Sequence, residues 1–355
     1  MIKETFVASL PQKDMKWRMN NTEERLSKSR LIDRFNRCLS YIRISITDQC
    51  NLRCIYCDPF ARTPKLTHDD ILRYEEILRL VRIGAGLGLS KVRITGGEPL
   101  VRKGVYEFLH HLTAVKGLRD VSLTTNGVFL KDNLDKIQSA GIKRINISLD
   151  SLKRDKITRI TGHDVFEKVW AAILKAHEMG FYPIKLNMVA IKGVNDDELV
   201  DFAKLSLKYP FHIRFIEYMP IGNTRVGTGQ QLLATEIQKE LETLAPLEAI
   251  ESNAQLGPAV RYRYKDAPGE IGLIRPISQH FCSSCNRLRL TASGQLRVCL
   301  LSDLQVDLKT AIRQGLLDED LRELFLKAVR LKPMSHKLNE DCSQAVVSQM
   351  SAIGG

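Results

Sequence analysis

The 355-residue sequence predicts an α/β fold, an incomplete (β/α)6 TIM-type barrel followed by a C-terminal extension. Three observations predict it. Short runs rich in Val and Ile alternate with amphipathic stretches of helical period from residue 41 to about 245. Several of those stretches close on glycine, as helices do. The polar motifs of the chain fall just after the strands, where barrels and doubly wound sheets both carry their sites. Six repeats are too few for a closed eight-fold barrel, so an open partial barrel or a doubly wound sheet is expected.

Residues 1–40 form a polar, basic lead-in. YIRISIT (41–47) reads as the first strand. HDDILRYEEILRLVRIGAGLG (68–88) reads as the first helix, with Ile71, Leu72, Ile77, Leu78 and Val81 apolar. KVRIT (91–95), DVSLTT (120–125), RINISLD (144–150), IKLNMVAI (184–191) and HIRFIEYM (212–219) read as the following strands. The helices between them are GVYEFLHHLTAVKG (104–117), NLDKIQSAG (133–141), VFEKVWAAILKAHEMG (165–180) and DDELVDFAKLSLKYP (196–210). After 245 the rhythm stops. AVRYRYKDAPGEIGLIRPIS (259–278) reads as a hairpin, followed by two short strands and helices near 306–315 and 318–331. The expected division is therefore 1–40, a barrel over 41–245, and an extension over 246–355 packed against it. The closing SQMSAIGG is small and polar, and a frayed end is the ordinary expectation for it.

Net charge is +12, from 53 basic and 41 acidic residues, which points to an anionic partner without choosing one. No apolar stretch is long enough for a membrane helix. The N-terminus lacks an apolar signal core and carries Glu4, Asp14, Glu23 and Glu24. A soluble cytoplasmic protein is expected, with no membrane partner. No nucleic-acid partner is expected either, because a basic, aromatic-laced helix is missing.

Six of the eight cysteines fall in two groups, leaving Cys38 and Cys342 apart. A long chain without an export signal argues against a disulfide scaffold, so grouped cysteines read first as metal ligands. Cys50, Cys54 and Cys57 make C-x3-C-x2-C in the loop after the first strand. Three thiolates can hold three irons of a cubane and leave the fourth open, or they can bind zinc with a distant residue such as His68. Cys282, Cys285 and Cys299 make C-x2-C-x13-C, again a triplet, which His280 or Cys342 could complete as a zinc site.

The first triplet, with Tyr56 before its last cysteine and GGEP at the end of the next strand, resembles the radical S-adenosylmethionine (SAM) superfamily. With FCSSCNRLRLTASGQLRVC the chain resembles one family within it, the GTP 3′,8-cyclases of molybdenum cofactor biosynthesis. The resemblance runs from about Leu39 to the C-terminus through RISITDQCNLRCIYC, KVRITGGEPLVR, LTTNG, RINISLDSL, LNMVAIKGVNDDE, RFIEYMP and the terminal IGG. It implies two [4Fe-4S] clusters, the first on Cys50, Cys54 and Cys57 and the second on Cys282, Cys285 and Cys299. It implies SAM contacts at Tyr56, Gly97, Ser148 and Met219. It implies GTP contacts at Arg43, Arg93, Thr124, Lys185, Arg287, Leu288 (through its backbone) and Arg289, with Arg287 or Arg289 aiding the late reduction or protonation. The implied reaction starts with a 5′-deoxyadenosyl radical taking hydrogen from GTP C3′; that carbon then joins C8 of guanine. A low-potential electron donor, a homodimer and a downstream cyclic pyranopterin monophosphate synthase are implied as partners. Gly354-Gly355 resembles a tail that reaches the family's active site. The chain departs from the family at Asp58-Pro59, where many members have Met-Pro.

Arg43 and Arg93 lie on predicted strands, where an unpaired charge is costly to bury, which favours a role for them. Another two-cluster radical SAM maturase, or a zinc-binding nucleic-acid module, are the alternative readings.

Overall fold

A computed structural model describes residues 30–60, 65–250, 257–336, 346 and 348–354. Most of the lead-in, Cys342 and Gly355 lie outside the described residues. Six strands follow one another in the chain: β1 (Tyr41–Ser45), β2 (Lys91–Thr95), β3 (Asp120–Thr125), β4 (Ile145–Ser148), β5 (Ile184–Ala190) and β6 (His212–Glu217). They pair in parallel in that same order, β1-β2-β3-β4-β5-β6. A doubly wound sheet reverses its order at a switch point. This one does not, so the partial barrel is the architecture formed.

The helices that return the chain are α1 (Tyr74–Gly86), α2 (Val105–Thr113), α3 (Leu134–Ser139), α4 (Arg154–Thr161), α5 (Phe166–Glu178), α6 (Leu199–Lys208) and α7 (Ala234–Glu242). Two-residue periodicity divides each strand between two surroundings. Ile42 and Ile44 of β1 are buried in the hydrophobic core, whereas Tyr41 and Arg43 line an interior cavity. Each such isoleucine contributes about 1.5–3 kcal/mol by leaving water.

The C-terminal third enters the same sheet. The expected hairpin is β8 (Ala259–Arg263) and β9 (Glu270–Ile274), preceded by the two-residue β7 (Glu248–Ala249). Beyond it come β10 (Arg287–Leu290), β11 (Gln295–Arg297), β12 (Gln305–Asp307), α8 (Leu308–Arg313), α9 (Asp318–Arg330) and α10 (Met350–Ile353). β9 pairs in parallel with β6 and β10 in parallel with β1, so the extension adds a strand to both edges of the barrel. Eight parallel strands result, but β9 and β10 do not pair with each other. The segment joining them carries Cys282 and Cys285.

Four helices differ from expectation, of which α7 and the four-residue α10 have no counterpart in it. α1 starts at Tyr74, not at residue 68, because Asp70 turns its carboxylate back onto the Thr67 N–H and hydroxyl in a local turn. α4 was not expected: four of its eight residues are charged, and only Ile157, Ile160 and Thr161 are buried. No helix among the described residues is long and apolar enough to cross a membrane.

Candidate active site

A cavity of about 320 Å³ is lined by residues from all eight parallel strands and by the six cysteines of both triplets. The first triplet sits in the loop after β1. That loop is held by the end of α4, whose Ile160 and Thr161 carbonyls accept the N–H groups of Ile55 and Arg53 at 2.9 and 2.8 Å. The Cys57 N–H closes a turn on the Cys54 carbonyl at 3.0 Å. The GGEP loop packs directly beneath: Gly97 N–H donates to Thr47 O at 2.7 Å and Glu98 N–H to Gln49 O at 2.8 Å. A Cβ on Gly97 would lie 2.3 Å from Gln49 O, so glycine is required by this approach of two backbones. Glu98 then ties the next loop in, accepting from Thr125 Oγ1 at 2.8 Å and Asn126 N–H at 2.7 Å. Burial pushes its carboxyl up to about 7 despite those donors.

Tyr56 donates to Asp150 at 2.6 Å, and Asp150 also accepts the Val189 N–H at 2.9 Å. Burial raises the Asp150 carboxyl to about 6, against the pull of those two hydrogen bonds. Burial likewise raises all three thiols of the triplet, Cys57 to about 12. His68 is exposed and does not line the cavity, so the zinc alternative loses the fourth ligand suggested for it.

The strand register gathers cations on the cavity floor. Arg289 of β10, Arg43 of β1 and Arg93 of β2 are direct neighbours across three strands. On β5 and β6, Asn187 is opposite Arg214, and Lys185 opposite His212. Desolvation is the largest cause of the lowered values at Arg43 (about 10), Arg214 (about 9) and Lys185 (about 6), and mutual repulsion adds to it. Arg289 is depressed for the same reasons. Arg214 has neither an ion pair nor a side-chain hydrogen bond among the described residues. Thr124 Oγ1 and Asn187 Oδ1 are likewise buried with no hydrogen-bond partner among them. The Thr124 hydroxyl therefore does not simply close a strand end. Buried cations and orphaned polar atoms lining one cavity call for a polar, anionic ligand.

At the second triplet, Lys332 is buried and donates to Arg287 O at 2.9 Å and Val298 O at 2.6 Å. Burial would raise the Cys285 thiol, but Arg287 and Lys332 outweigh it and hold that thiol below its ordinary value. The Arg287 guanidinium lies 4.6 Å from the Phe281 ring centre. His280 and His336 gather with Cys282, their ligand atoms all within 4.8 Å of one another.

The C-terminal end is docked, contrary to the expectation of fraying. Val346 and Ile353 are buried with Ile221 in a small core that Met219 also touches. Gly354 O accepts a hydrogen bond from Arg289.

Of the cysteines and the SAM and GTP contacts implied by resemblance, all but two line the one cavity; Gly354 does not line it, and Gly355 lies outside the described residues. Lys185 lies a layer below its floor, coupled to Arg93 and Arg214. Leu288 is buried in the core between the inward Arg287 and Arg289, as strand alternation dictates. Sequence reasoning missed Arg214, Lys91, Asn187, Asp150 and Lys332. Arg214 had a signal: it stands on a predicted strand, HIRFIEYM, as Arg43 and Arg93 do on theirs.

Comparison with known proteins decides the family. Residues 44–206 match the radical SAM superfamily model, and residues 211–338 match the model described as Molybdenum Cofactor Synthesis C. The GTP 3′,8-cyclase of Moorella thermoacetica is 47% identical over 323 residues, covering 91% of this chain and 99% of the relative. The chain belongs to the GTP 3′,8-cyclase family. Another member, from Syntrophomonas wolfei, is 44% identical over 329 residues, 92% of this chain and 100% of the relative. Members of this family are radical SAM lyases, and this chain shares their two-part organisation. Its fold is also similar to the crystal structure of Streptococcus suis SuiB bound to S-adenosylmethionine. The TM-score is 0.60 at 13% identity, over 84% of this chain and 70% of that one.

Proposed function

We propose that the chain converts GTP to (8S)-3′,8-cyclo-7,8-dihydroguanosine 5′-triphosphate, the first step of molybdenum cofactor biosynthesis. The observation that carries this reading is one cavity floored by buried cations and ended by two cysteine triplets. The donor sets fit iron–sulfur groups. Each triplet offers three thiols to the cavity, and no further cysteine among the described residues lines it. When bound, a [4Fe-4S] cluster on Cys50, Cys54 and Cys57 supplies the electron that cleaves SAM at its sulfonium.

The chain's own residues bind, orient and exclude water. The Gly97 backbone, Tyr56, Ser148 and Met219 frame the SAM side, where Asp150 and Glu98 supply nearby carboxylates. Arg43, Arg93, Arg214 and Lys185 offer the triphosphate charge-assisted hydrogen bonds, and Thr124 offers a hydroxyl. Arg287, Arg289 and the Leu288 backbone stand by the second triplet, where the guanine would meet the second cluster. Arg289, bonded to the tail at Gly354, is the better placed of the two arginines for a late proton or electron step. In this reading residues 41–245 serve SAM and the triphosphate, residues 246–355 serve the guanine end, and residues 1–40 are a lead-in. The protein acts in the cytoplasm as a homodimer, draws on a low-potential electron donor, and hands its product to a pyranopterin-forming synthase.

A second reading applies to the second triplet alone. The gathering of His280, Cys282 and His336 suits a mononuclear metal such as zinc. Anaerobic loading with iron and sulfide separates the two. The cyclase reading expects about eight irons per chain and 5′-deoxyadenosine formation that depends on GTP. About four irons plus one zinc per chain, with no cyclised product, would favour the second.

A further inference from the structure

Asp58 directly follows the last cysteine of the first triplet and is buried, at 6% exposure. Lys65 reaches it with Nζ 2.8 Å from Oδ2, and the same ammonium donates to the Asp48 carbonyl at 3.2 Å. The neighbouring Leu66 N–H donates to the Asp48 carboxylate at 2.9 Å. Lys65 and Leu66 are thus both held by aspartates, Asp58 and Asp48. Ser351 of α10 approaches the same Asp58 oxygen, its hydroxyl 3.5 Å away. The tail is held elsewhere by Arg297, 3.0 Å from Ser348 Oγ, and by Arg289 on Gly354 O. Those anchors belong to the second-triplet side. At Asp58 the tail instead meets the first.

We propose that Asp58, held by Lys65, is a positioning residue that seats the C-terminal tail on the first-triplet loop and sets the charge beside Cys57. This rests on the reading of Cys50, Cys54 and Cys57 as a cluster site. A buried carboxylate needs its cation, so Lys65 and Ser351 of the tail meet at one charged joint, Asp58. A negative charge beside an iron–sulfur group opposes its reduction. Asp58 supplies that charge beside Cys57, and Lys65 offsets it.

The test uses anaerobically loaded protein and three readouts: iron per chain, amide exchange of residues 348–354, and the midpoint potential of the first cluster followed by its electron-spin signal. Asp58→Asn and Lys65→Met should each speed exchange of the tail by about five-fold, with iron content unchanged. Their midpoints should move apart, upward for Asp58→Asn and downward for Lys65→Met. Ser351→Ala keeps both charges, so it should loosen the tail while moving the midpoint less than either. Tail exchange equal to wild type in both charge variants, or midpoints shifted in the same direction, would overturn the proposal. If the wild-type chain takes up no iron at this triplet, the cluster reading fails. Tail exchange in the metal-free variants then still decides the joint.

Discussion

At the first triplet burial pushes every thiol up, and carboxylates add to the effect: Glu98 at Cys50, Asp150 at Cys54, Asp58 at Cys57. At the second, burial raises Cys282 as well, yet Arg287 and Lys332 hold Cys285 below its usual value. The two ends of one cavity therefore differ in the charges that stand beside their thiols. The acidic end suits a cationic sulfonium, and the basic end, continuous with the arginine floor, suits a polyphosphate and its purine. The asymmetry gives each ligand an end before any specific contact is counted.

The strongest way to break this comparison is to remove one triplet at a time. Cys54→Ala should abolish SAM cleavage, whereas Cys285→Ala should keep SAM cleavage and lose the cyclised product. Each should lose about four irons per chain, and equal loss of both activities in both variants would refute the division of labour. Next is Arg214→Met, which removes a buried cation with no ion pair or side-chain hydrogen bond among the described residues. GTP affinity should fall by about 30-fold with SAM affinity unchanged, read by calorimetry.

A smaller effect sharpens the charge argument. Lys185, at about 6 in the free protein, is mostly neutral at pH 7.5, whereas a triphosphate nearby favours its charged form. GTP binding should then take up a proton, seen as a dependence of the binding heat on buffer ionisation. Affinity should be greatest below pH 6 and fall by up to about tenfold per pH unit above it, until the lysine's value in the complex is passed. Lys185→Met should flatten that slope. In the free protein the sign reverses. The unfolded chain holds this proton up to about 10.5 and the fold loses it near 6, so stability rises with pH between those values. The smallest effect is expected at Thr124→Val. Its orphaned hydroxyl makes no bond to lose, so thermal stability should hold or rise, while GTP affinity drops about threefold.

How much was legible depended on how local the cause was. β2 and β3 were read with their observed limits because alternation within five or six residues decides them. The triplets and GGEP were legible because ligation and backbone approach fix residue type at fixed spacing. α4 was not, since its value lies in two carbonyls that hold the cysteine loop, and carbonyls leave no mark on a sequence. Lys332 stands 33 residues after Cys299 and meets Cys285 only through the fold. The tail looked small and polar, yet Val346 and Ile353 had an apolar seat that only folding creates. The placement of β10 beside β1 joins residues about 245 apart, and no periodicity encodes such a pairing.

That long-range pairing has a consequence for how the chain is made. Both outer strands of the barrel wait for partners encoded late, β6 for residues near 270 and β1 for residues near 290. As the polypeptide leaves the ribosome, β1 emerges first and stays without its outer neighbour until most of the chain has been synthesised. Throughout that interval a bare strand edge, with Ile42 and Ile44 and open to pairing with another chain, faces solvent. A message truncated before residue 287 would fix that state permanently. Such a fragment should need a chaperone to stay in solution, even though all six of its consecutive strands are intact.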